Sequence, residues 1–133
     1  MCFYLFRAME KTGIYEYTDQ YWNVWRQMVS NHCSTCVEAE FYARSECHAW
    51  GALALYELPS VVLGVRPAAP GYSRISVRPV PGCLNSASGK VHTPAGDLEV
   101  SWEKKGDSGM QLKISCSEEV REKIVESEEF NYA

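Results

Sequence analysis

Three cysteines, two histidines and three glutamates crowd into the nineteen residues from His32 to Trp50, HCSTCVEAEFYARSECHAW. Three chemistries fit such a stretch. Cys33, Cys36 and Cys47 with His32 or His48 have the residue types of a tetrahedral Cys3His zinc site, opened by a Cys-x-x-Cys knuckle. Neighbouring residues on a helix point about 100° apart, so only one of Cys47 and His48 could reach the ion, which leaves three ligands and a doubtful fourth. Cys33-Ser34-Thr35-Cys36 also has dithiol spacing, but redox pairs of this kind sit at a helix N-terminus after a strand, whereas this one follows a helix. The third chemistry belongs to the carboxylates: Glu38, Glu40, Tyr42, Arg44 and His48 form a polar run between two apolar segments, the kind of loop that carries chemistry on a rigid scaffold. Glu40 and Glu46 also read as solvated loop charges. On the residues alone, a capped helix with a buried His48 is the stronger account of the second half of the stretch.

The elements that must hold this loop can be read from periodicity. Residues 2–11 place Phe3, Leu5, Phe6 and Met9 on one side of a helix that Thr12-Gly13 stops. In TDQYWNVWRQMVSN the apolar residues Tyr21, Trp22, Val24, Trp25, Met28 and Val29 recur at helical spacing, with Thr18 or Asp19 placed to cap the start. SECHAWGALALYEL predicts a third helix, capped by Ser45, with Glu46 and His48 in its first turn and Pro59 at its end. A histidine in a first helical turn would be kept neutral by the helix dipole and could exchange hydrogen bonds with a hydroxyl.

After Pro59 the period changes to two. SRISVRP, DLEVSWEKK and MQLKISC each alternate apolar with polar residues, and TPAGD and KKGDSG carry the Gly and Asp of reversals. The expectation is an α+β chain: helices over 1–65, then an antiparallel sheet or sandwich over 66–133, joined through the Pro-rich RPAAPGY. The tail SEEVREKIVESEEF predicts a short helix with Val120 and Ile124 on one side and a Glu119–Lys123 pair.

Charge excludes some partners. Of the net −4, residues 117–133 account for all: six Glu against Arg121 and Lys123, the remainder being neutral. A chain without a basic stripe is not expected to bind nucleic acid. MCFYLF is too short for a signal-peptide core, and the apolar stretch near residue 55 is interrupted by Glu57 and Pro59, so neither secretion nor a membrane span is expected. Six irregularly spaced cysteines then read as reduced thiols of a cytoplasmic protein. No cofactor is called for.

Several of these stretches, in order, resemble one family. STCVE, then SECHAWGALALYEL, VLGVRPAAPGY, ISVRP and GKVHTPAGDLEVSW look like the C-terminal end of the bacterial α-L-rhamnosidases, six-hairpin glycosidases with an (α/α)6 barrel followed by a β-sandwich. The resemblance covers about residues 20–116. In the family a Thr-Thr-x-Trp-Glu stretch carries the glutamate taken as general base, and the matching position is Glu38. His48 matches a histidine of the sugar pocket, and Trp50 shares its motif, with core packing favoured over sugar stacking. Three departures stand out: Val37 replaces the family's Trp, Ser34 its first Thr, and His32 a frequent Gly.

The resemblance implies inverting hydrolysis of terminal α-L-rhamnosides, which needs a general acid and a general base roughly 6.5–9.5 Å apart. In the family the acid comes from an earlier segment of the barrel, and Glu10 and Glu16 match no such motif. The expectation is therefore a glycoside hydrolase portion with the base and without the acid, inactive alone, whose helices would meet the missing barrel segment or self-associate. Cys36 and Cys47 are then small buried packing groups. Two other readings remain open: a free-standing module that binds carbohydrate or a partner subunit, and a zinc-stabilised domain.

Overall fold

The computed structural model describes residues 2–39, 42, 44–106 and 109–125 of the 133. The chain is α+β and divides into two compact units, Met1–Glu57 and Leu58–Ala133.

In the first unit α1 spans Cys2–Lys11. It stops where expected, for a specific reason. Gly13 takes φ +75°, its amide donates to Glu10 O (3.2 Å), and the Ile14 amide reaches back to Met9 O (3.0 Å). This is the Schellman arrangement, which consumes two of the carbonyls a helix end leaves open. The same device closes α2, Asn23–Ser30. There the His32 amide donates to Val29 O and the Cys33 amide to Met28 O (3.1 and 2.9 Å), with His32 itself at φ +53°.

The single helix expected from Thr18 onward is instead split. A 3-10 helix covers Tyr15–Tyr21 and α2 starts only after Trp22. Neither proposed cap acts as one: Thr18 is buried and its hydroxyl donates back to Tyr15 O (2.7 Å), while Asp19 pairs with Arg26 (2.5 Å). Val29, expected inside, is 77% exposed. Phe6, fully buried, is the hub of the unit and packs its ring against Tyr15, Trp22 and Trp25 at 5.5–6.3 Å between centroids.

The third expected helix is corrected in both position and kind. Residues 45–48 are not helical; a 3-10 run occupies Ala49–Leu53, and α3 is only Ala54–Glu57. Ser45 caps no helix: its hydroxyl is bonded to the Cys47 backbone, donating to the carbonyl and accepting from the amide. Glu57 ends the unit fully buried. Both carboxylate oxygens accept from one Arg7 nitrogen at 2.5 Å, and one accepts from the Tyr15 hydroxyl at 2.8 Å. Burial raises the Glu57 pKa, and the Tyr15 and Arg7 donors act against it. Arg7 also pairs with Glu10 and lies over the Tyr56 ring, 5.2 Å from its centroid.

The second unit begins with a wide π-type turn, Leu58–Val62, closed by Leu63 N–H to Leu58 O (2.9 Å). Pro59 sits inside this turn, which follows α3 directly, rather than ending a helix. Two antiparallel sheets follow. β1 (Val65–Pro67) pairs with β2 (Ile75–Val77), Val65 opposite Val77, and RPAAPGY ends β1 and leads into the connection between them. β3 (Ser86–Thr93), β4 (Gly96–Lys104) and β5 (Met110–Cys116) form a meander. The alternation read from β4 and β5 is realised: Leu98, Val100 and Trp102 are buried while Glu99 and Glu103 face out.

Leu63, Val65, Ile75, Val77, Leu98, Val100 and Val120 make one core between the two sheets, a small sandwich. Its margin is pinned by the Trp102 indole N–H donating to Val62 O (2.8 Å). α4 is shorter than expected, Glu118–Arg121, capped by Ser117. Val120 is buried, Lys123 lies 3.7 Å from Glu119, and Ile124 bridges to Ile75 in parallel. The tail beyond Val125 lies outside the described residues. Among those described, no helix is long and apolar enough to cross a membrane.

Candidate functional site

The loop after α2 runs back alongside itself. His48 N–H donates to Cys36 O (2.7 Å), Glu38 N–H to Ser45 O (3.0 Å), and the Thr35 hydroxyl to Glu46 O (2.5 Å). Residues 35–38 are thus laced to 45–48 by two backbone bonds and one from a side chain, although neither stretch forms a strand. Gly51 then lets the 3-10 run press onto this lacing. A Cβ there would lie 2.3 Å from Val37 O, and no side chain fits so close to backbone. The Trp25 indole N–H donates to Gly51 O (2.7 Å), tying α2 to the same point.

These contacts open a groove of about 1140 Å³ within the first unit. Tyr4, Tyr21, Trp25, Met28 and Tyr56 contribute its apolar lining, and Glu38, Arg44, His48 and Trp50 also line it. The three residues singled out in the sequence, Glu38, His48 and Trp50, therefore share one concavity. Glu38 is half-buried and gripped by Arg44, with Nη2 2.5 Å from Oε1 and Nε 3.2 Å from Oε2. That hydrogen-bonded guanidinium is the main reason the Glu38 carboxyl titrates below the usual carboxylate range, and His48 adds a smaller effect in the same direction.

His48 is extended (φ −123°, ψ 116°) and precedes the 3-10 run. It sits at the N-cap of that run, not inside a first helical turn as expected. Trp50, expected mainly as core packing, is 85% exposed and stands edge-on to the His48 ring, 6.2 Å between centroids. It is available to a ligand face.

Residues 64–128 match the family model of the bacterial α-L-rhamnosidase C-terminal domain. The crystal structure of a GH78 family rhamnosidase of Bacillus sp. GL1 matches over 92% of this chain, with 30% identity and a TM-score of 0.73. The chain belongs with the C-terminal portion of α-L-rhamnosidase-like proteins. It spans 14% of the length of that Bacillus chain. No curated protein matches it.

The α-L-rhamnosidase-like chain does not use its cysteines as expected. Cys47 is exposed in a turn and Cys36 only half-buried, so neither is a buried packing group; none of the six cysteines is joined in a disulfide. Among the described residues no group of three or more His, Cys, Asp or Glu is placed to hold a metal ion. Glu40 lies outside the described residues, and Glu46 is exposed.

Sequence reasoning missed Arg44 as the partner of Glu38, and Trp25 and Gly51 as the supports of the wall. Arg44 was visible in the polar run, but no fixed spacing marks an arginine that folds back on a glutamate across a loop. In the sequence Trp25 reads only as part of the apolar side of its helix. A buried indole N–H needs an acceptor, and that requirement was the available signal.

Proposed function

We propose that this chain is the part of an inverting α-L-rhamnoside hydrolase that carries the general base. Glu38 takes the proton of a water as that water attacks the anomeric carbon, while His48 hydrogen-bonds a sugar hydroxyl and Trp50 offers its face to the ring. The general acid comes from a segment outside these residues, and the helices of the first unit are the last part of an (α/α)6 barrel. Six cysteines outside any disulfide favour a reducing compartment, the cytoplasm.

One observation carries the reading: Glu38 is the only carboxylate among the described residues that line the groove, and His48 and Trp50 line it too. A base must be ionised to work, and the Arg44 contact favours that state. Inverting hydrolysis needs a second carboxyl group roughly 6.5–9.5 Å away to protonate the leaving oxygen. Glu57 is not that group, being buried against Arg7 and Tyr15.

The test combines binding and turnover. The chain is expected to leave an aryl α-L-rhamnoside unhydrolysed, while L-rhamnose shifts the His48 and Trp50 resonances and Trp50→Ala weakens that binding at least tenfold. Hydrolysis by the chain alone, abolished by Glu38→Gln, would show that the acid is already present. Absence of any response at His48 and Trp50 would remove the site.

The exposed Trp50, Tyr42 and Tyr4 also favour a second reading, a non-catalytic carbohydrate-binding module. In that case the neighbouring coding region holds no barrel, and Glu38→Gln binds L-rhamnose as the parent does.

A further inference from the structure

The Arg44 guanidinium is 83% exposed, yet it spends two nitrogens on one half-buried carboxylate in the groove wall. An exposed ion pair of this kind adds little stability. Its geometry is nevertheless specific: Nε and Nη2 meet the two oxygens of Glu38 as a fork, which fixes the plane of the carboxylate as well as its charge. We propose that Arg44 is the positioning residue of this site, holding the Glu38 carboxylate turned into the groove by a two-point clamp.

The inference rests on the reading of Glu38 as the base. The clamp is compatible with that role, because each carboxylate oxygen keeps a second lone pair that can accept a proton from water. An arginine also never loses its own proton in the working range, so it cannot itself compete as the base. Lysine would supply the charge without the fork. Among the described residues, the titratable and charged groups acting on Glu38 are Arg44 and His48, Arg44 dominating. The contact from the other side is the Ser45 carbonyl, which takes the Glu38 amide and leaves the side chain free to follow the guanidinium.

The experiment is a carbon-detected NMR titration of the Glu38 side chain in the full chain, comparing the parent with Arg44→Gln and Arg44→Lys. The Glu38 midpoint is expected to rise toward the ordinary glutamate range in Arg44→Gln and to fall between the two in Arg44→Lys. An Arg44→Gln midpoint equal to the parent's overturns the proposal. With Arg44 so exposed, the amide spectrum of either variant should otherwise match the parent; if the Gln variant is misfolded, a Lys midpoint equal to the parent's overturns the two-point clamp. The titration reads Arg44 whether or not Glu38 is the base, and the hydrolysis and L-rhamnose measurements read the base independently.

Discussion

Along β4 the side chains of Leu98, Val100 and Trp102 enter one core while backbone pairing to β3 and β5 holds the register, from Ser86 opposite Glu103 to Leu98 opposite Cys116. Residues 35–53 have no such ladder. There a handful of single contacts, Cys36 to His48, Glu38 to Ser45 and Trp25 to Gly51, each hold one point of the groove wall. The sheet distributes its stability over many equivalent pairs, so loss of one is shared by neighbours. In the first unit the groove wall and the buried Glu57 instead depend on a few polar contacts, and each of those is a place where one substitution should be felt strongly.

The largest effect is therefore expected at Arg7. Replacing it with Met leaves the Glu57 carboxylate buried without its ion partner, at a cost of about 4 kcal/mol. The sign with pH follows from Glu57: loss of Arg7 raises its folded pKa further, the unfolded chain then ionises first, and the penalty grows as pH rises. Urea unfolding followed by tryptophan fluorescence at pH 5 and pH 8 should show the larger loss at pH 8. Three of the four tryptophans, Trp22, Trp25 and Trp50, lie in the first unit and make this readout selective.

In the sheet the comparable deletion is Leu98→Ala, which removes a fully buried side chain from the seven-residue core and should cost about 3 kcal/mol. Amide exchange should accelerate across β3, β4 and β5 together rather than at Leu98 alone. Acceleration confined to the substituted residue would remove the contrast drawn between a distributed sheet and a point-held loop.

The smallest effect runs the other way. His32 occupies a left-handed position at the end of α2, where a Cβ is unfavourable. His32→Gly should stabilise the first unit by about 1 kcal/mol, read as a higher urea midpoint in tryptophan fluorescence. The substitution restores the residue type of the resembling family at a place where the structure already adopts the shape that glycine prefers.

The same contrast explains how much was legible. The strands β2, β4 and β5 announce themselves because a two-residue period with one buried face leaves an alternating record in the sequence. β3 left almost none: its inward residues are Ala87, Gly89 and Val91, and Gly89 is small because its missing Cβ would lie 2.6 Å from Leu63 Cδ1. In the first unit, α1 was readable from Gly13, but the 3-10 runs were not, since three residues per turn and 3.6 per turn cannot be told apart over five to seven residues. At Ser45 the capping residue alone did not make a helix: its hydroxyl accepts from the Cys47 amide, as an N-cap would, but also donates to the Cys47 carbonyl, and residues 45–48 are not helical.

Glu38, His48 and Trp50 were named from the sequence, and their sharing of a groove was not visible there. The sequence by itself determined the change from helical to alternating period, the Gly13 stop, the buried faces of β4 and β5, and the motif that places a glutamate before a His-Ala-Trp-Gly turn. These are local properties, written in spacing over a few residues. Only the tertiary structure decided that Arg44 returns to Glu38, that Trp50 stands exposed beside His48, that Gly51 lies against Val37, and that Glu57 is buried with Arg7 fifty residues away. Such contacts join residues with no fixed spacing, and their geometry follows from how the whole unit closes around Phe6.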